Sequence, residues 1–273
     1  MTHAFTFPER RARQPEWTAR ALLRGSLIQA ERILVKWCTD IATLLQSLMF
    51  PALMVLLFWL ILNRSVSGYS GTSTAFGMVP MVALTGAMSG AAISGLGLRR
   101  EAAYGFLTRL WVLPVHRASA MLGRLFAESV RILATVVLVL AVGTVIGFRI
   151  QTGITGALAI LAVALLFGLS FSITVTALTL RRPESRIVEW TAVGTNLAMF
   201  FNTGFVPASA YPAWLRPVVQ YQPMSCAVDA IRGLATGAPI AGPLVLTAAW
   251  SLALAAVFTR LALTGYRRSA QRG

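Results

Sequence analysis

Arg99–Ser119 reads RREAAYGFLTRLWVLPVHRAS. It gathers Arg99, Arg100, Glu101, Arg109, His116 and Arg117 between two apolar runs, 76–98 and 122–148. Each run is long enough to cross a bilayer, whose hydrocarbon core of about 30 Å needs about 20 apolar residues as a helix. Read outward from that stretch, the remaining chain follows the same pattern. Apolar residues make up 56% of its 273 positions and charged residues 12%, about half the usual charged share of a soluble domain. Mean hydropathy is +0.70. So much apolar side chain has no place to hide in a water-soluble domain, and the composition predicts an all-α integral membrane protein.

A net charge of +15 suits a nucleic-acid binder in the abstract, because basic surfaces attract phosphate. Its distribution excludes that reading. Lys36 is the only lysine, and the arginines cluster at the termini and between apolar runs, as in loops held at a cytoplasmic membrane face. Cys38 and Cys226 are too far apart in sequence to form a metal motif, and on the topology below they face opposite sides, which excludes a disulfide. Residues 1–40 carry charges throughout and contain no compact apolar segment of the kind a cleaved leader needs.

From Glu16 to Trp37, Ala19, Leu22, Leu23, Ser26, Leu27, Ala30, Ile33, Leu34 and Trp37 recur at helical spacing. Arg20, Arg24, Glu31, Arg32 and Lys36 occupy the other side. This pattern predicts an amphipathic helix lying in the membrane surface. Six spans are expected, at 41–62, 76–98, 122–148, 154–180, 188–206 and 240–264. Pro51 should kink the first, and the Gly86/Gly90 and Gly143/Gly147 spacings permit close helix contact. One set of loops and ends holds Arg10, Arg11, Arg13, Arg20, Arg24, Arg32, Lys36, Arg99, Arg100, Arg109, Arg117, Arg181, Arg182, Arg186, Arg267, Arg268 and Arg272. The opposite set holds Arg64, Arg149, Arg216 and Arg232. That bias predicts cytoplasmic N- and C-termini. The organisation expected is therefore a tail and interfacial helix over 1–40, a six-helix domain over 41–264, and a tail over 265–273. The external stretch 207–237, with Pro207, Pro212, Pro217 and Pro223 among Tyr211, Trp214 and Tyr221, reads as short re-entrant helices.

Placed on a helix, 101–113 puts Ala103, Phe106, Leu107, Leu110 and Trp111 on one face, with Glu101, Gly105, Thr108 and Arg109 on the other. It is too short to span, and Pro114 is its expected stop. Two segments resemble the ABC-2-type exporter permeases. LRREAAYGFLTRLWVLPVHRASAMLGRLFAESVR supplies Glu101, Gly105, Leu110, Pro114, Gly123 and Arg124 at the family's positions. FFNTGFVPASAYPAWLRPVVQYQPMSCAVDAIRGLATG supplies Pro207, Pro212, Trp214, Leu215, Pro223, Ala230, Arg232, Leu234 and Gly237. The likeness is greatest to the daunorubicin-resistance type, including mycobacterial drug and lipid exporters. It implies that 101–113 is a coupling helix, with Glu101, Gly105, Phe106, Arg109 and Leu110 facing a separate cytosolic ATPase. It also implies a second permease, identical or paralogous, in a bacterial plasma membrane, and export of hydrophobic drugs or complex lipids.

Lys36, in LVKWC, lacks the glycine-rich loop that cradles nucleotide phosphates. No cofactor is expected on this chain, and ATP and Mg belong to the partner. His3 and His116 stand apart from each other and from cysteine, so no catalytic or metal cluster is expected. Glu128 and Arg131, one turn apart, are expected to pair structurally near a cytoplasmic end. A charge-free centre in every span weighs against an ion-coupled exporter; that reading and a non-catalytic scaffold subunit remain the alternatives. For the cargo path, adaptable and flat side chains point to Met78, Met81 and Met88 on the second span and to Asn196, Phe200, Phe201 and Asn202 on the fifth.

Overall fold

The computed structural model describes residues 18–70, 75–105, 116, 118–181 and 186–271. All regular structure among them is helical. In chain order the helices are α1 (Ala19–Thr39), α2 (Ile41–Leu44), α3 (Phe50–Ser70), α4 (Ala75–Ala103), α5 (Ser119–Val145), α6 (Gly153–Arg181), α7 (Ile187–Phe200), α8 (Arg216–Tyr221), α9 (Pro223–Thr236) and α10 (Ala241–Gln271). Among the described residues, five stretches are long and apolar enough to cross a membrane: Ile41–Ile61, Ala75–Ala103, Ser119–Val145, Gly153–Arg181 and Ala241–Ala262. The fifth expected span, 188–206, is shorter as a helix. α7 has 14 residues, a rise of about 21 Å, and turns follow from Phe201 to Val206.

Asp40 separates α1 from the first span. Its carboxylate accepts hydrogen bonds from the Ala42 and Thr43 amides and the Thr43 hydroxyl. Those bonds, led by the Thr43 hydroxyl, hold its pKa below the ordinary aspartate value. A wide π turn, Leu45–Met49, then precedes Pro51. Proline has no N–H and crowds the carbonyl four residues back. Here that carbonyl belongs to Ser47, and it accepts instead from Thr135 Oγ1 of α5 at 3.2 Å. The expected kink is therefore a wide turn whose freed acceptor ties the first span to the third. Pro80, inside α4, frees the Phe76 carbonyl in the same way, and Arg232 Nε of α9 donates to it at 3.4 Å.

α4 is the central helix. Eighteen of its residues from Ala75 to Leu98 are buried, and it packs against α3, α5, α6, α7 and α9. Glycines set the approach of its neighbours. A Cβ at Gly86 would stand 2.9 Å from Thr135 Cγ2, and one at Gly143 2.9 Å from Val79 Cγ1, so both expected spacings contribute a contact. α1 lies along α5, with Ser26, Ala30 and Ile33 buried. Leu23, Leu27 and Ile28 remain exposed, at 54–60%. The apolar face of α1 is thus divided between the protein and its surroundings. Gly123 sets the α1–α5 crossing, because a Cβ there would meet Gln29 Cβ at 2.5 Å and Ser26 O at 2.7 Å. Overpacking of that kind costs about 1–3 kcal/mol. Gly123→Val is expected to lift α1 and lower the unfolding midpoint of the purified protein; an unchanged midpoint would contradict so tight a crossing.

A candidate cargo cavity and the charged nodes around it

Three helices enclose a cavity of about 330 Å³, within the size range of small-molecule sites. The first span contributes Gln46, Phe50, Pro51 and Met54, α4 contributes one stripe from Val82 to Leu96, and α7 contributes Glu189, Ala192, Thr195, Asn196, Met199 and Phe200. Of the residues singled out from sequence, Asn196 and Phe200 line it. Met78 and Met81 are fully buried and Met88 nearly so, within the core. At 100° per residue, Met81 and Met88 lie about a quarter turn around α4 from the cavity stripe, and Met78 lies about a turn beyond its end. Phe201 is half exposed, and its carbonyl accepts from Gln222 Nε2. Asn202 is buried as a cap: its Oδ1 accepts from the Gly204 amide at 2.6 Å, and its Nδ2 donates to the Ala198 carbonyl at 3.0 Å and to the Met199 carbonyl. The helical repeat Val82–Thr85–Ser89–Ile93–Leu96, small and polar residues among aliphatics, was the sequence signal for the α4 wall.

Beyond the Met199 end of the cavity the helices are knotted together. Arg232 Nη2 donates to the Thr203 carbonyl at 2.6 Å, and Nη1 meets Asp229 Oδ1 at 3.2 Å. Asp229 Oδ1 also accepts from Thr203 Oγ1 at 2.8 Å. Burial pushes the Asp229 carboxyl up, against the opposing pull of Arg232 and Thr203. A Cβ at Gly77 would lie 1.9 Å from the Gly204 carbonyl oxygen, so backbone touches backbone there. Phe58 and Phe205 stack edge-on, with centroids 5.0 Å apart, and bring in α3. Arg232 thus joins α4, the turn after α7, and α9.

The opposite end carries the node that the opening stretch raised. α4 continues without a break through Glu101 to Ala103. Gly105, at φ 68°, then turns the chain. The first residues of the expected 101–113 helix are therefore the last turn of α4, and the rest of that helix, with Phe106, Arg109 and Leu110, lies outside the described residues. Glu101 faces inward. Its Oε2 meets Arg124 Nη2 at 2.9 Å, and its Oε1 meets Arg32 Nη2 at 3.2 Å and Lys36 Nζ at 3.8 Å. Arg124, itself 5% exposed, also donates from Nη1 to the carbonyl and hydroxyl of Ser94 at 3.2 and 3.0 Å. One carboxylate thus joins α1, α4 and α5.

A second buried pair sits beside the cavity wall. Arg131 Nη2 lies 2.7 Å from Glu128 Oε2 and 3.0 Å from the Ala87 carbonyl, and Nη1 lies 3.4 Å from the Gly86 carbonyl. Glu128 is fully buried, and its Oε1 has no hydrogen-bond partner among the described residues. The guanidinium occupies the groove that Gly90 leaves open, since a Cβ there would stand 1.7 Å from Nη1. This corrects the expected position. The pair reaches carbonyls near the middle of the 29-residue α4, and Arg131 itself stands one residue from the midpoint of the 27-residue α5, so the centre of that helix carries a charge pair.

The pattern of the ABC-2 type transporter family matches residues 26–235, from the buried side of α1 through the cavity to the end of α9. The chain belongs to that family. It is 34% identical over 251 residues to the probable doxorubicin resistance ABC transporter permease protein DrrC of Mycobacterium tuberculosis (strain ATCC 25618 / H37Rv), covering 92% of this chain and 91% of that one. The same protein of strain CDC 1551 matches equally. The daunorubicin resistance ABC transporter permease protein DrrB1 of Streptomyces coeruleorubidus is 26% identical over 219 residues, 79% of this chain and 77% of that one. As an ABC-2 permease subunit, the chain is a transport component, and its membrane-crossing helices make it a multi-pass membrane protein.

Proposed function

We propose that this permease is the membrane half of an ATP-driven exporter of hydrophobic drugs or complex lipids. The observation that carries the proposal is the cavity between the first span, α4 and α7. It is lined by adaptable apolar side chains and a few polar groups, the lining that a hydrophobic cargo needs. An exposed stripe on α3, with Leu53, Leu56, Leu57 and Leu60, continues from Phe50 and Met54 of the cavity wall. A second permease, identical or paralogous, would cover it and complete the path. The relatives are named for doxorubicin and daunorubicin resistance, which supports drugs as the cargo class.

In this reading α7 and the turns after it form a sixth crossing, which returns both termini to the cytoplasm as the arginine distribution requires. α8 and α9 dip into the outer leaflet. ATP and Mg act on separate cytosolic ATPase subunits, which push on the segment after Gly105. Glu101 is then not a docking contact but an internal node, passing motion of α4 to α1 and α5. Mild-detergent purification of the tagged chain is expected to bring down an ATPase subunit; recovery of none would favour a scaffold or an ion-coupled exporter. A maleimide applied to intact cells should label Ser209→Cys, and labelling only after permeabilisation would invert the topology.

A further inference from the structure

The cavity wall has an uneven polarity. Glu189 is the only ionisable side chain among the described residues that line it. The hydroxyl donors on the wall are turned back onto their own helices: Thr85 Oγ1 to the Met81 carbonyl at 2.8 Å, Ser89 Oγ to the Gly86 carbonyl at 3.3 Å, and Thr195 Oγ1 to the Thr191 carbonyl at 2.9 Å. Asn196 Nδ2 likewise donates to the Ala192 carbonyl at 3.0 Å. A hydroxyl or amide whose donor is committed still offers oxygen lone pairs. Asn196 keeps a second amide N–H, and Gln46 brings a further amide to the wall, so a few neutral donors stand among the acceptors, and the one charge is the Glu189 carboxylate.

Neighbouring cations do not reverse that sign. Arg131 lies behind Gly86 and is neutralised by Glu128 at 2.7 Å. Arg186 stands 3.8 Å from Glu189, with side chains 84% and 55% exposed. Such an open pair is weak and screened by water, which leaves the carboxylate available to a ligand. Phe50 and Phe200, both on the wall, add aromatic rings, groups whose faces attract a cation. An anionic headgroup would meet neutral amide donors at most, and a like charge at Glu189.

We propose that Glu189 makes this cavity select amphipathic monocations with an apolar or aromatic body over anions of the same shape. The inference rests on the cavity being the cargo site, and deepens that reading by naming the charge class. Tetraphenylphosphonium and tetraphenylborate provide the probe, since they match in size and differ in sign. Their binding is measured by equilibrium dialysis on the full chain, with whatever subunits co-purify, in nanodiscs of zwitterionic lipid, with empty discs subtracted.

The phosphonium should bind at least about tenfold more tightly than the borate, the scale of one partly desolvated cation contact. Glu189→Gln should bring the ratio toward one, Glu189→Lys should invert it, and Glu189→Asp should retain it. Thr195→Trp, which fills the cavity, should abolish binding of the phosphonium. If Thr195→Trp leaves phosphonium binding intact, the cavity is not the cargo site and both readings fall. If Thr195→Trp abolishes it while Glu189→Gln leaves the ratio unchanged, the cargo site stands and charge selection by Glu189 is overturned. A half-exposed glutamate on the first turn of α7 is not part of the core, so the Glu189 variants should fold; Thr195 is buried, and Ala192→Trp, at a partly exposed wall residue, decides the same question if Thr195→Trp does not fold.

Discussion

Glu101→Gln is expected to release α1 from the bundle and to cost about 3 kcal/mol, the low end for breaking a buried ion pair. The low end applies because the Glu101 side chain keeps 11% of its exposure. The neutral amide leaves the buried Arg124 without its counter-charge, and leaves three cations facing one another. Hydrogen exchange should rise over residues 26–36 while α6 keeps its protection, and the unfolding midpoint should fall. In the assembled exporter, ATP hydrolysis should continue with transport reduced, because the push on α4 no longer reaches α1 and α5. Lys36→Gln is the matched control. Its 3.8 Å contact is made by a side chain 60% exposed, and pairs of that kind are worth about 0–1 kcal/mol. Unchanged exchange in α1 after Glu101→Gln would refute the clamp.

The second large effect concerns the pair beside the cavity. Glu128→Leu alone leaves the Arg131 guanidinium buried in the middle of the bundle, and should destabilise by about 3–5 kcal/mol. Arg131→Met alone strands a carboxylate that already has one unpartnered oxygen, with a comparable loss. The double variant removes both charges together, and replacing a buried pair by apolar side chains is often neutral or better. A titration of folded protein against SDS should therefore show two weak single variants and a recovered double variant. Transport by the recovered double variant then separates two roles. Retained export marks the pair as structural; export lost from a protein of normal stability would mark it as a proton or ion site, and favour the ion-coupled reading.

Much of the fold was legible because bilayer thickness imposes a length on every crossing helix. The apolar runs containing Pro51, Gly86, Val136, Phe167 and Leu254 could be found by length and composition alone. α1 was legible from its three- and four-residue spacing. What that spacing could not say is which part of the apolar face meets protein, since Leu27 and Ala30 carry the same signal and only Ala30 is buried. The end of the fifth run failed for another reason. Asn202 and Gly204 sit in an apolar context that reads as span, yet the Asn202 side chain caps the chain end and lets it turn.

The cavity was half legible. Asn196 and Phe200 stood out by chemistry, whereas Thr85 and Ser89 are ordinary residues for a membrane helix until a neighbouring helix leaves space beside them. The methionines misled for the same reason: softness suits a binding site and a core equally, and the difference is an angle around α4. Glu101 was recognised as special, but its partners are 23 and more residues away in sequence, and only packing brings them together.

The two prolines in the early spans have a consequence for biosynthesis. Each strips a carbonyl of its usual helical donor, Ser47 through Pro51 and Phe76 through Pro80, and each replacement donor arrives later in the chain, from Thr135 and Arg232. A ribosome feeding the membrane therefore delivers the first two spans with an empty acceptor apiece. Those acceptors are filled in sequence as the third span and then α9 emerge, so the order of synthesis is written into the helices as vacancies awaiting specific late arrivals.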